Sequence, residues 1–398
     1  MQNFSIHIPT KIIFGEGLLN EFVKSSKILG KKALILIGGG TVEKLGYLQP
    51  VRDAFEKEGV STVLFSGVEP NPQVRTINKA AQFAKNEKID FIIAFGGGSV
   101  IDAAKGIAIL LHEKTDDIWQ YVLGSPKAGQ YSGAFPVVAI PTTAATASEV
   151  TPHSVISNDE VNGKASLSNP LLRPVVSLLD PTYTKSLNAR TTQDGAADIF
   201  SHVIENYLLG GNDSPIADRY SEMVMLTVLE TLPKLLKDLQ NIKLRGDLFW
   251  ASDLALNGYQ TAGRTPAPFV LHSMEHAASG FYPSLAHGRG LATLYPAYFR
   301  WLLEKGRAVD RMAKLALRLF GIENSNEQIA ALNFIEKFEN WLKENSLYQS
   351  FPDLGVMPEK YEAIADYTIE VYGKGKAIQV LGDFTKEDII EIFYNTEK

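Results

Sequence analysis

The chain has 398 residues, with 39 Lys and Arg against 45 Asp and Glu, a net charge of −6 and no cysteine. This acidic balance argues against nucleic acid or an anionic membrane surface as the main partner, and no stretch of about 18 apolar residues marks a membrane span. Without cysteine there is no disulfide, thiolate metal site, iron–sulfur cluster or cysteine nucleophile, so any metal must rest on His, Asp and Glu.

At this length two domains are expected. The opening MQNFSIHIPTKIIFGEG lacks the charged and apolar regions of a secretory leader and reads as a strand and turn, which makes the cytoplasm the expected location. KKALILIGGG is a short apolar run ending in glycines, and VRDAFEKEG is an amphipathic helix. STVLFSGVEPNP reads as strand and loop, VRTINKAAQFAKNEK as helix, IDFIIAFGGGS as buried strand and VIDAAKGIAILL as helix. FPVVAIPTTA is a further strand leading into a polar loop, and SLLDPTYT closes the last strand. Alternating apolar strands and helices predict a parallel sheet covered on both faces. From Thr191 onward helical periods dominate. Thr191 and Asp194 form one helix-start signal, and Thr385 with Asp388 forms another. The predicted division is an α/β domain over 1–186 and an all-helical domain over 187–398.

Two glycine runs follow two of these strands. Gly38, Gly39, Gly40 and Thr41 follow ALILI, and Gly96, Gly97, Gly98 and Ser99 follow FIIAF and open a helix. A strand–glycine–helix unit offers free N–H groups and a positive helix end, and glycine lets a phosphate approach the backbone. A plain tight turn would use the same residues. Neither run matches G-x-G-x-x-G or the P-loop pattern. PTTAATASEV adds a third loop at a strand end, where Thr142, Thr143 and Thr146 are candidate cofactor contacts.

The helical half carries the metal chemistry. Of the seven histidines, His272, His276 and His287 fall within sixteen residues, and Asp198 and His202 sit four apart on one predicted helix face. One carboxylate and several imidazoles make a ligand set for a divalent ion. Taken singly, each histidine also fits a hydrogen-bonded core residue.

FGEG, GVEPNPQ (67–73), AFGGGSVIDAAKGIA, PTTAATASEV, LLDP (178–181), DGAADIFSHVIENYL and LHSMEHAASGFYPSLAHGRGLATLYP together resemble the iron-containing (group III) alcohol dehydrogenases. GGGT at 38–41 and GDFTKEDIIEIF resemble its butanol-dehydrogenase-like branch. The resemblance implies a Rossmann-like parallel-sheet domain followed by a helical domain (the dehydroquinate synthase-like plan), with a metal in the cleft between them. It implies Asp198, His202, His272 and His287 as metal ligands, and His276 as a non-ligand relaying protons near substrate and nicotinamide. Gly97, Gly98 and Ser99 would hold the pyrophosphate. Asn71, Asp102, Thr142, Thr143, Lys164 and Leu179 of LLDP would line the cofactor site, together with Thr146 and the 38–41 turn.

The family implies Fe(II), although Zn(II) suits the same donors and binds intrinsically more tightly. NAD-preferring members carry an Asp after the first strand. Here Gly39 and Thr41 leave room for a 2′-phosphate, so NADP(H) is favoured over NAD(H), with Lys44 as a candidate phosphate contact. The expected reaction is hydride transfer between a nicotinamide and small aliphatic alcohols or aldehydes, with the metal as Lewis acid, in a homodimer. Tyr259, Phe269, Phe281 and Tyr282 are candidate pocket aromatics. The chain departs from the family pattern at Ala145 and Ala147, where glycine is usual, and in a His276-to-His287 spacing one residue longer.

Three rival readings stand beside this one. His272, Glu275 and His276 match the H-x-x-E-H hydrolase pattern, in which Glu275 would activate water. A zinc-dependent polyol dehydrogenase or a dehydroquinate-synthase-like lyase would share the two-domain plan. A non-catalytic member with a degenerate site is the third.

Overall fold

In the computed structural model, which describes residues 1–397, the apolar runs of the first half become one six-stranded sheet, all of whose pairs are parallel. Its strands are β1 (Lys11–Phe14), β2 (Lys32–Leu36), β3 (Ser61–Phe65), β4 (Phe91–Gly96), β5 (Val137–Pro141) and β8 (Val176–Leu179), in the order β1-β8-β5-β4-β2-β3. Side chains alternate between two faces, as the pleat requires. Leu34, Leu36, Ile92, Ala94 and Ala139 pack with α4 (Val74–Glu87) and α5 (Gly98–Glu113). Ala33, Ile35, Phe91, Ile93, Val138 and Ile140 pack with α1 (Leu19–Ser26) and α3 (Leu48–Lys57). Burial on both faces is why these strands read as continuous apolar runs.

The connection from β2 runs outward to β3 and returns past β2 to β4, so the chain changes direction between β2 and β4. At such a switch point the carboxyl ends of the strands leave a crevice. The loops at this point are 38–40, which opens α2 (Thr41–Lys44), and 97–99, which opens α5.

An antiparallel hairpin, β6 (His153–Asn158) with β7 (Gly163–Ser168), is inserted before β8. It is an addition to the sequence-based pattern: HSVISN and GKASLS carry too many small polar residues to stand out as strands.

The helical unit runs from Asn188 to Leu239 and from Trp250 onward, with Met1–Ile6 attached; residues 240–249 group with the α/β unit. Its helices are α6 (Ala189–Leu209), α7 (Pro215–Lys237), α8 (Ile242–Leu256, whose first half falls in 240–249), α9 (Val270–Phe281), α10 (His287–Glu304), α11 (Val309–Phe320), α12 (Glu327–Glu344), α13 (Tyr361–Tyr372) and α14 (Lys386–Asn395). The only strands in this half are the two-residue β9 (Ile378–Gln379) and β10 (Asp383–Phe384), among the described residues. No helix among those residues is long and apolar enough to cross a membrane.

One helix start is corrected. α6 is capped by Asn188, whose side chain accepts from Thr191 N at 2.9 Å, so Thr191 lies within the first turn. Asn caps as well as Thr does, and it lies upstream. Asp194 instead accepts from Arg289 Nε at 2.7 Å. Thr385 and Asp388 form the reciprocal cap that their spacing predicts.

Three features hold α6 in place. Phe200 stacks on Phe338 of α12 at 4.6 Å between centroids, and Tyr295 of α10 donates to Ala197 O at 2.6 Å. The far end of the helix is tied by a buried ion cluster. Asp218 accepts from Arg264 at 2.7 Å, from both terminal nitrogens of Arg311 at 2.7 Å and from Lys314 at 2.5 Å. The Arg311 guanidinium lies 3.8 Å over the Tyr207 ring. Burial pushes the Asp218 carboxyl up, but hydrogen bonds from Arg311 and Lys314 and the charges of Arg311 and Arg264 hold it well below the usual range. Because the folded value is depressed, the contribution is present above about pH 4 and is lost as pH falls further. Asp218→Asn leaves two buried guanidinium groups without their counter-charge and is expected to cost about 3–5 kcal/mol. Chemical denaturation at neutral pH measures it; a change under about 1 kcal/mol would mean that the cluster is dispensable.

Candidate metal centre and dinucleotide cradle

Asp198 and His202 stand one turn apart on α6, His272 lies in the first turn of α9, and His287 is the first residue of α10. Their donor atoms converge. The Nε2 atoms of His202, His272 and His287 lie 3.4, 3.6 and 3.4 Å from one oxygen, Asp198 Oδ1. Asp198 Oδ1 and His272 Nε2 are buried and make no hydrogen bond among the described residues. Tetrahedral ligands at about 2.1 Å from a divalent ion are separated by about 3.4 Å, the spacing found here. Buried polar atoms held this close without hydrogen bonds fit a bound cation.

Charge supports the same reading. Burial would raise the Asp198 carboxyl, yet the charges of His202 and His287 hold it well below the usual range. Burial would lower His272, but Glu205 and Asp198 raise it to about 9. A metal would replace that proton.

The sequence explains the approach of α10. A Cβ at Gly288 would lie 1.8 Å from Asp194 O, and one at Gly290 would lie 2.8 Å from Glu275 Cγ. Only glycine at these two places of AHGRG lets the helix start pack so closely against α6 and α9. His287 therefore reaches Asp198 despite the longer loop before it.

Behind the donors stand two carboxylates. Glu205 hydrogen-bonds His272 Nδ1 and accepts from Leu271 N at 2.7 Å. Glu275 hydrogen-bonds His287 Nδ1. Each fixes its imidazole with Nε2 facing the centre. This corrects the hydrolase reading: the carboxylate of H-x-x-E-H is fully buried and engaged with a ring nitrogen, so it cannot activate water. Glu275, His276 and His287 also form a close trio, with one donor atom from each within 4.8 Å of the others. His276 lies one turn beyond His272, and its Nδ1 is 3.1 Å from Tyr372 OH.

Sequence reasoning missed Glu205 and Tyr372. Glu205 was within reach, being three residues after His202 on the same helix face. Tyr372 lies 96 residues from its partner and carries no local signal. Among the candidate aromatics, Phe269 meets His272 edge-on at 5.2 Å, Phe281 meets Tyr367 at 6.4 Å, and Tyr282 OH accepts from Met357 N. Tyr259 is half exposed.

In the α/β unit, Gly97 caps α5 without any side-chain hydrogen bond, while Val100 N donates to Gly97 O at 3.0 Å. The glycines also admit the neighbouring loop: a Cβ at Gly98 would lie 2.5 Å from Thr146 Oγ1, and one at Gly97 3.2 Å from Thr143 Oγ1. Gly96 O accepts from Thr142 N at 3.0 Å. In the other turn, Gly40 needs its positive φ of 88°, and Gly39 faces open space with nothing within 4 Å of a built Cβ. Gly38 would meet Val68 O only at 3.4 Å. Thr41 and Lys44 are exposed, and Asn71 adopts a left-handed φ of 55°.

Three other candidates are more enclosed. Both oxygens of Asp102 are engaged, by Ser148 Oγ at 2.5 Å and Val155 N at 2.9 Å. Lys164 is 3 % exposed on β7, and Leu179 is fully buried at the end of β8.

Comparison with known proteins agrees in both halves. The model of the family "Iron-containing alcohol dehydrogenase" matches residues 9–181, and that of the "Fe-containing alcohol dehydrogenase family, C-terminal" matches 192–396. A probable NADH-dependent butanol dehydrogenase of Bacillus subtilis is 36% identical over 98% of this chain and 99% of its own. An NADPH-dependent aldehyde reductase of Escherichia coli is 33% identical over 85% of this chain and 87% of its own. The crystal structure of NADH-dependent butanol dehydrogenase A from Thermotoga maritima superposes with a TM-score of 0.94 at 33% identity, covering 100% of this chain and 99% of that one.

If Glu205 aims His272 at a metal, Glu205→Gln is expected to weaken divalent-ion affinity by about 10- to 100-fold. Competition with a chromophoric chelator measures it. An affinity equal to wild type would remove Glu205 from the centre.

Proposed function

This chain belongs to the iron-containing alcohol dehydrogenase family, and we propose that Asp198, His202, His272 and His287 bind one divalent ion for NAD(P)(H)-linked interconversion of small aliphatic alcohols and aldehydes. The observation that carries this reading is the convergence of three imidazole nitrogens on one unbonded carboxylate oxygen. When bound, the ion polarises the substrate oxygen as a Lewis acid while the nicotinamide exchanges hydride with carbon.

The chain's own residues do the rest. Glu205 and Glu275 hold two ligand rings in the tautomer that presents Nε2. His276, with its Nδ1 against Tyr372 OH, supplies or takes the hydroxyl proton. The N–H groups opening α5 at Gly97, Gly98 and Ser99 take the pyrophosphate. Thr143 and Thr146 lie against Gly97 and Gly98, Thr142 N donates to Gly96 O, and the three support the same site.

Fe(II) is the proposed metal on family grounds, and Zn(II) competes for the same donors. The enzyme is proposed to be a cytoplasmic homodimer, a choice supported by the frequency of two-fold assemblies. The named relatives favour alcohol and aldehyde chemistry over a polyol dehydrogenase or a lyase. The complete donor set argues against a degenerate member.

The test is to strip the protein with chelator, restore Fe(II) anaerobically or Zn(II), and follow NADPH and NADH absorbance with butanal. Metal-dependent oxidation of the nucleotide is expected. Turnover without metal, or none at stoichiometric metal loading, would overturn the proposal.

Between dinucleotides, the open space at Gly39 favours NADP(H) by leaving room for a 2′-phosphate. Glu43 acts in the opposite sense, since its Oε2 lies 3.9 Å from the Cβ position of Gly40. Glu43→Gln is therefore expected to tighten NADPH relative to NADH by about fivefold, the size of one partly screened charge contact. Fluorescence titration of both nucleotides measures the ratio. An unchanged ratio would show that Glu43 plays no part in the choice.

A further inference from the structure

Lys105 lies on α5, two turns beyond the glycine loop, and is completely buried. Its Nζ reaches five oxygens of one short segment. They are Ser148 O at 2.7 Å, Ser148 Oγ at 2.8 Å, Thr151 O at 3.0 Å, Thr151 Oγ1 at 3.3 Å and His153 O at 2.6 Å. An ammonium has three N–H groups, so five oxygens exceed what three separate hydrogen bonds can serve. Three carbonyls and two hydroxyls packed round a point charge form the coordination shell of a monovalent cation. The counter-charge is close by: Asp102, one turn earlier, accepts from the same Ser148 Oγ and from Val155 N.

The wrapped segment continues the threonine loop. Thr146 Oγ1 accepts from Ser148 N at 3.1 Å and packs against Gly98. Fixing Ser148 therefore fixes Thr146 against the start of α5. Between them Ala147 holds a left-handed φ of 50°, which an L-residue adopts only when its surroundings impose it.

We propose that Lys105 is a built-in monovalent cation, a positioning residue whose charge folds residues 148–153 and so presets the threonine loop for the dinucleotide. Removing that charge converts the cage into a binding site for potassium or ammonium. The inference rests on the placement of the dinucleotide at Gly97–Ser99 proposed above.

The experiment is fluorescence titration of NADPH and NADH into Lys105→Met, which retains most of the apolar stem. It is run in tetramethylammonium chloride, potassium chloride and ammonium chloride at equal ionic strength. In tetramethylammonium, too large for the cage, Kd is expected to rise at least about tenfold. Potassium or ammonium is expected to restore most of it, while the wild type ignores the change of salt. An unchanged Kd in the variant, or a loss that neither small cation restores, overturns the inference.

If the variant folds in no salt, Thr151→Val removes one hydroxyl from the cage and keeps the charge. It is expected to weaken nucleotide binding without shifting Tm, and an unchanged Kd overturns the cage. Ser99→Glu separates the two levels of the argument. If the acidic variant binds nucleotide as wild type does, the placement of the dinucleotide has failed. If it binds weakly while Lys105→Met is unaffected, only the cage has failed.

Discussion

The buried oxygen of Asp198, faced by three imidazole nitrogens without a hydrogen bond of its own, is the constraint around which the helical unit is arranged. An ionised carboxylate in such a place needs a positive partner. Protons on the histidines are one such partner, and Glu205 and Asp198 raise His272 in that direction. A divalent ion would be a better one, because it would engage all four donors at once and leave no imidazolium to be accommodated. Much of the surrounding structure serves to hold this unfavourable convergence: Tyr295 bonded to the backbone at Ala197, and Glu205 and Glu275 behind two of the rings.

Close approach of backbones makes that convergence reachable. Three helices must bring short side chains to one point, and imidazole reaches only a few ångströms from its helix. Gly288 lies almost on the carbonyl of Asp194, and Gly290 lies against Glu275. With Ala at Gly288 the start of α10 would have to withdraw, taking His287 with it. The sequence AHGRG thus carries a proposed ligand and its packing device in one turn.

The contrast between what could and could not be read from the sequence follows the range of the interactions. Strands β2, β4 and β5 are buried on both faces, so their apolar runs are visible without any structure. The four donors were legible because two lie one turn apart and two lie in one histidine-rich run, together with the family's motifs. The β6–β7 hairpin was not, since its small polar residues are selected by contacts such as Ser154 with Asp102 O. Asn188 was passed over for Thr191 because both satisfy the capping rule and only the backbone decides between them. Tyr372 and Lys105 were illegible for a stronger reason. One depends on a residue far along the chain, and the other on main-chain carbonyls, which no side-chain pattern records.

Ala147 connects these levels. Glycine would adopt the left-handed backbone here without penalty, whereas alanine costs about 1–2 kcal/mol. The structure retains the left-handed turn all the same. The segment beginning at the next residue is clamped by the Lys105 ammonium, with Asp102 bonded to Ser148 at its edge. Releasing the turn would strip oxygens from a buried charge, a larger penalty than the strain of one alanine. A loop held this firmly can therefore carry alanine at a left-handed position without losing its shape. Thr143 and Thr146, on the near side of this turn, lie directly against Gly97 and Gly98.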